Sequence, residues 1–308
     1  MKRKAIAGLI AVIAIVAVAM LAGCIEEERM NTAEIKEMAL ATAGNIDTYK
    51  FDMDMTQEML ISNETGEMEM TTISNGSGTV DETNKKMKLE MATAMEMPEE
   101  AKMPETREMK MDMYVLNSTM YTKMDMGIPE MPAQWTKMEM PEGYEEFWES
   151  QNLVDQQMEL LNVSEMELLE DEKVNDVDCY VLKLTPDIKK YWETVMKQGG
   201  MSGLMQKLQQ NDSFDIGEMI KEMSIKQWIA KDTKFPMKTE MQIKMVMSSA
   251  DLNIPETEEE FTMTMDQRTN MVFYDYNGQV TIELPKEAES AAEYPMFPPL
   301  NQTATTAA

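Results

Sequence analysis

Methionine alternates with polar residues along most of this chain, and a side-chain period of two fits one regular backbone, the β-strand. The sequence holds 38 Met among 308 residues. Met53 and Met55, Met68 and Met70, and Met95 and Met97 each lie two apart. So do Met109, Met111 and Met113, then Met124 and Met126, Met138 and Met140, Met245 and Met247, and Met263 and Met265. The residues between them are mostly Asp, Glu, Lys or Thr. Such strands build a sheet with one thioether-rich face and one charged face. The expected lining of the apolar face is Phe51, Met53, Met55, Met68, Met70, Met87, Leu89 and Met91 from the first half. Met109, Met111, Met113, Trp135, Met241, Met245, Met263 and Met265 complete it.

Turn chemistry divides the strands. Asn63-Glu64-Thr65-Gly66, Asn75-Gly76-Ser77-Gly78, Asp81-Glu82-Thr83-Asn84, Asn117-Ser118 and Asn175-Asp176 all read as turns. Further strands are expected at 223–231, 237–248, 260–266, 270–276 and 279–284. A helix is expected over 32–46, capped by Thr32, with Ile35, Met38, Ala39 and Thr42 on one face and Gly44-Asn45 at its end. Helices at 144–162 and 187–222 supply further cover. Antiparallel hairpins with a few helical blocks make an α+β fold, a curved antiparallel sheet or half-barrel wrapped around its helices.

The N-terminus sets the location. Lys2-Arg3-Lys4 precedes an apolar run that ends at Leu21-Ala22-Gly23-Cys24, after which Glu26-Glu27-Glu28 begins a polar segment. This is a secretory signal with a lipobox-like end. Residues 1–23 are the expected lipoprotein signal peptide, Cys24 the lipidated residue, 24–31 a tether, 32–285 the folded domain and 286–308 a disordered tail. The alternative is an uncleaved anchor, since the 21 residues Ala5 to Ile25 carry no charge and span a bilayer core as a helix. Either way the body lies on the outer face of the membrane. Six Asn-X-Ser/Thr sites, at Asn63, Asn75, Asn117, Asn162, Asn211 and Asn301, point to a glycosylated surface protein of archaeal type.

Charge and composition exclude several functions. Removing Lys2, Arg3 and Lys4 takes the formal charge from −28 to −31, a surface that repels nucleic acid and anionic lipid head groups. With no histidine, Ser-His-Asp and Cys-His catalysis and His-ligated metals are out. Among 56 carboxylates no general acid/base pair stands out. The expectation is a non-enzyme without a cofactor. Cys179 lies in a strand-like run and reads as a buried thiol. Thioethers also bind Cu(I), but a metal site needs three or four converging ligands, and these methionines extend over many strands. Replacement of the usual aliphatic core residues is the simpler reading. A Met-lined surface also suits variable apolar ligands, so a lipid or other apolar small molecule is the expected partner. Two alternatives stay open: an envelope interaction or sensory module with a filled core, and Met-based Cu(I) binding.

Several segments together carry a family resemblance. They are Asp47-Thr48-Tyr49-Lys50-Phe51 after the opening helix, Tyr114-Val115-Leu116-Asn117-Ser118-Thr119-Met120-Tyr121, the Trp135 strand, Val174 to Leu182, and Trp228-Ile229-Ala230-Lys231-Asp232-Thr233-Lys234-Phe235-Pro236-Met237-Lys238. In this order, over about residues 32–284, the chain resembles the LolA-like lipoprotein superfamily, with its LprG/LppX-type lipoproteins and their archaeal relatives. The resemblance implies a half-barrel around helices, with a hydrophobic cavity for lipid or lipoprotein acyl chains. The Met-dense lining and the strongly acidic surface depart from that pattern.

Overall fold

A computed structural model describes residues 30–98, 106–128, 131–140, 148, 152–191, 216–251 and 260–293. The signal segment, Cys24, most of the region 187–222 and residues 294–308 lie outside the described residues. The described strands are β1 (Thr48–Asn63), β2 (Gly66–Asp81), β3 (Lys86–Glu96), β4 (Thr106–Leu116), β5 (Thr119–Asp125) and β6 (Gln134–Glu139). After them come β7 (Ser164–Leu168), β8 (Glu172–Val174), β9 (Val177–Pro186), β10 (Ile220–Ala230), β11 (Pro236–Ser248), β12 (Phe261–Tyr274) and β13 (Ala292–Glu293). Among the described residues the helices with both ends described include α1 (Thr32–Ala43), α2 (Leu153–Asn162) and the short α3 (Ile216–Met219).

All the strands join one open sheet, in the order β13-β6-β5-β4-β3-β2-β1-β12-β11-β10-β9-β7, with β8 on β9. Every pairing is antiparallel except β13 on β6. The halves of the chain meet where β1 lies against β12, in unbroken register from Lys50 opposite Tyr274 to Asn63 opposite Phe261. The edges do not pair with each other, so the curved sheet is a half-barrel and not a closed barrel.

The turns follow local chemistry at three places. Asn63 Oδ1 accepts from the backbone N–H groups of Thr65 and Gly66, at 2.9 and 3.0 Å. Asn117 and Ser118 have φ of 52° and 59°, and Asn175 and Asp176 have 48° and 65°, the paired left-handed residues of two-residue hairpins. The Asn75–Gly78 turn does not form. Those residues lie inside β2, with Gly76 opposite Met53 and Gly78 opposite Phe51. A Cβ on Gly78 would sit 2.2 Å from Phe51 Cε1, so the glycine makes room for an aromatic ring on the next strand. The expected break between 266 and 270 is also absent, because β12 runs through Gln267-Arg268-Thr269. Residues 279–284 form no strand. Inside the segment expected to be a tail, a 3-10 turn spans Lys286–Ser290 with Ala288 buried, and β13 follows.

The cap of helix α1 lies one residue earlier than expected. Asn31, not Thr32, is the N-cap, and its Oδ1 accepts from Glu34 N while Glu34 Oε2 accepts from Asn31 N, both at 3.0 Å. Asn152 caps α2 through Val154 N and Asp155 N. Ile35 and Ala39 of α1 and Val154, Met158, Leu160 and Leu161 of α2 are buried in the main core. The sheet supplies Tyr49, Phe51, Val80, Val115, Leu182, Leu184, Ile225 and Phe273 to the same core. A polar tie fixes α2 to the sheet: Thr239 Oγ1 donates to Gln157 Oε1 at 2.7 Å, and Gln227 Nε2 donates to the Gln157 carbonyl at 3.3 Å. A smaller cluster on the opposite face holds Val174, Cys179, Val181 and Trp228. Cys179 is buried there, and burial pushes its thiol up to about 11, the inert structural thiol of the sequence reading.

Candidate ligand-binding face

Because the strands around β1 pair without register slips, the alternation in sequence becomes rows across the sheet. The row nearest the helices runs Val115, Met87, Val80, Tyr49. The next runs Met113, Leu89, Gly78, Phe51, Phe273. Then come Met111, Met91, Gly76, Met53, Met271, and after them Met109, Thr93, Ser74, Met55, Thr269, Met241. Beyond a row through Gln57 lie Met70, Met59, Met265, Met245 and finally Met68, Ile61, Met263, Met247. Every predicted lining residue except Trp135 therefore shares the face against which α1 and α2 pack.

Trp135 is on the other side. It pairs with Lys123, which pairs with Asp112, and its ring meets Tyr114 edge-on at 5.9 Å with Lys123 Nζ 6.0 Å from its centroid. In β6 the residues in phase with the methionine face are Thr136 and Met138, which pairs with Met120. Trp135 is apolar, but phase within the strand, not apolarity, decides the face. The same rule would have found Met59, Met271 and Met247, which the sequence-based lining omits.

Burial changes along the face. Tyr49, Phe51, Met87, Val115 and Phe273 are buried, and Met271 is at the margin. Met53, Leu89, Met113 and Met241 are half-buried and still pack against the main core. Met55, Met59, Met68, Met70, Met91, Met109, Met111, Met245, Met263 and Met265 are all half-buried. The methionine rows thus extend well past the part of the face that α1 and α2 cover.

The opposite face is charged. A cavity of about 360 Å3 opens there, lined by Asp54, Lys226, Glu240, Gln242, Arg268 and Asn270 among others. Its ion pairs are those of a solvated sheet surface, such as Lys238 with Glu240 at 2.6 Å and Arg268 with Asp266 at 3.3 Å. Asn75 lies exposed on this face in mid-strand, whereas Asn63 and Asn117 are at hairpin turns and Asn162 ends α2. Asn211 and Asn301 lie outside the described residues. No group of three or more His, Cys, Asp or Glu placed to hold a metal occurs among the described residues, and none of the described helices is long and apolar enough to cross a membrane.

At the helix-covered end a carboxyl group is largely removed from water. Glu82, in the turn between β2 and β3, accepts from Trp148 Nε1 at 2.8 Å through Oε2. Its Oε1 is buried without a hydrogen-bond partner among the described residues. Burial pushes the carboxyl up to about 7, opposed by the Trp148 bond and reinforced by Asp155 and Asp81.

An open half-barrel of antiparallel strands closed at one end by helices is the class of molecule these features define. A sequence-family model described as a family of unknown function, DUF6612, matches residues 31–293, and the chain belongs to that family. No curated protein matches it in sequence. Among solved structures it is similar to LprF from Mycobacterium bovis, at 10% identity and a TM-score of 0.40, over 82% of this chain and 96% of that one. It is also similar to the lipoprotein LppX from Mycobacterium tuberculosis, at 7% identity and a TM-score of 0.35, over 81% and 96%. A LolA superfamily protein from Nitrosomonas europaea matches at 10% identity and a TM-score of 0.21, over 82% and 96%.

Proposed function

We propose that this protein is a non-catalytic surface lipoprotein, of the kind found on archaeal cells, which holds a lipid or other apolar ligand on the methionine-lined face of its half-barrel. Cys24 carries the membrane anchor, and the sequons on the exposed turns carry glycans. One observation supports the ligand reading above the others: the in-register methionine rows continue beyond the part of the face covered by α1 and α2, and their side chains there are half-buried. Unbranched thioethers adapt to guests of varied shape at small cost, and such a concave apolar surface is where an apolar ligand gains most from leaving water.

The test is native mass spectrometry of the full chain purified from its own membranes, followed by organic extraction. A co-purifying lipid at near one per chain is the expected result. A lipid-free protein that also takes up no added apolar compound overturns the reading, and a stoichiometric protein partner in its place favours the interaction-module alternative.

A further inference from the structure

The methionine face is interrupted at one place. In the row through Gln57, β2 contributes Thr72 and β12 contributes Gln267. In the neighbouring row, Thr93 and Ser74 lie on one side of Met55 and Thr269 on the other. Six uncharged polar side chains thus form an island on four adjacent strands, with methionine rows before and after it. Polar groups on an apolar face are costly unless they find partners. Some find them within the island: the hydroxyls of Ser74 and Thr93 are 2.9 Å apart, and Gln267 Nε2 donates to Thr269 Oγ1 at 3.2 Å. Among the described residues the Gln57 amide and the Thr72 hydroxyl have no side-chain hydrogen bond, although both are half-buried.

The island contains no charge. The cation of its row is Arg107 at the β4 end, opposite Met95, and its Nε donates to the Met126 carbonyl at 3.0 Å. A carboxylate or phosphate placed over Gln57 would lose its hydration without gaining a counter-ion. A primary amide, by contrast, offers both a donor and an acceptor to a neutral carbonyl group. Apolar surface extends from Gln57 to Met53 in one direction and to Ile61 in the other, about 14 Å each way at about 3.4 Å per residue.

We infer that the ligand of this face is an uncharged lipid in which an ester or amide linkage lies between two apolar arms, with Gln57, Thr72 and Gln267 hydrogen-bonded to the linkage. This rests on the reading of the face as ligand-holding. It adds a chemical selectivity that a merely apolar groove lacks.

The experiment uses the full chain with diphenylhexatriene, a neutral apolar fluorophore, as the displaced probe. The competitors, delivered from cyclodextrin, are decyl decanoate, an alkane of matched length (henicosane) and sodium icosanoate. The ester should compete about tenfold better than either of the others, the equivalent of one well-made hydrogen bond. In a Gln57→Met, Gln267→Met double variant the advantage of the ester over the alkane should disappear, both competitors being measured against the variant's own affinity for diphenylhexatriene. An ester no better than the alkane in the unmodified chain overturns the inference and leaves the apolar face standing, as does a double variant that keeps the preference. Absence of diphenylhexatriene binding overturns the reading of the face itself, and the inference with it.

Discussion

The two ends of the helix-side face are built from different chemistry on the same strands. At the covered end the side chains are mostly aromatic or branched: Tyr49, Phe51 and Phe273 with ring centroids 6.1–6.5 Å apart, Val80, Val115, Leu182 and Ile225 around them, and Met87 among them. At the far end the same strands carry Met59, Met70, Met245, Met263 and Met265. Rigid side chains suit a surface whose partner is always the same helix, because their few rotamers fix one fit. Thioether chains with three rotatable bonds suit a surface whose partner varies. The difference teaches that alternation alone does not mark a core. It marks a face, and the side-chain type along that face separates the part that α1 and α2 cover from the part that extends beyond them.

The largest expected effect tests this division directly. Phe51→Ala should destabilise the fold by about 3–5 kcal/mol, the cost of an unfilled aromatic site. Met59→Ala, four rows from Phe51 along the same strand and half-buried, should cost about 1 kcal/mol or less. Urea titration of both variants checks the contrast, and equal losses would remove the distinction between the ends. Gly78→Ala belongs with Phe51. Its new Cβ would lie 2.2 Å from the edge of the Phe51 ring, so a loss of about 1–3 kcal/mol is expected from overpacking, and Phe51→Leu in the same chain should restore part of it.

That pair also shows what the sequence could and could not disclose. The strands were legible because a two-residue period needs no tertiary information, and the hairpins at Asn117-Ser118 and Asn175-Asp176 were legible because left-handed turns select their residues locally. Asn75-Gly76-Ser77-Gly78 looked like a turn for the same local reason. Its glycines instead answer to Phe51 and Met53, more than twenty positions earlier in the chain, and that answer appears only once β1 and β2 are paired. Gln267-Arg268-Thr269 looked like a break because its residues are polar, although Gln267 and Thr269 keep the phase of Met265 and Met271. Phase identifies the methionine face, and Trp135 falls outside it because its register with Lys123 and Asp112 puts it on the charged side. The union of β1 with β12, which joins the two halves of the sheet, left no local trace.

A smaller effect should appear at the covered end alone, with pH. Glu82 titrates at about 7 in the folded protein against an ordinary value of 4.5, so the folded state binds this proton more tightly than the unfolded chain. The stability linked to it is fully present below about pH 4.5, declines as pH rises from 4.5 to 7, and is gone above that. The carboxyl is partly solvated, which reduces the effect to about 1–2 kcal/mol. Glu82→Gln keeps an acceptor for Trp148 Nε1 and cannot ionise. It should match the unmodified protein near pH 4 and exceed it by that amount near pH 8 in thermal or urea unfolding. A constant difference across the range would mean that Glu82 acts through packing and not through its charge.

The smallest effect on stability, and the finest probe of the two ends, is oxidation. Methionine sulfoxide is polar, so its cost follows how completely the side chain is enclosed, and its rate follows access. Met124 and Met131 are 49% and 54% exposed, whereas Met87 and Met158 are 8% and 5% exposed. Under limiting peroxide, peptide mapping should find Met124 and Met131 oxidised first, half-buried Met59, Met70 and Met265 next, and Met87 and Met158 last. Stability should change by less than about 1 kcal/mol until the last group reacts. A bound apolar ligand should protect Met59, Met70 and Met265 and leave Met131 as reactive as before, since the first three line the far end of the methionine face and Met131 lies outside the strands. Protection that spread equally to Met131 would place the ligand elsewhere, and the far end of the face would then be a solvated surface rather than a site.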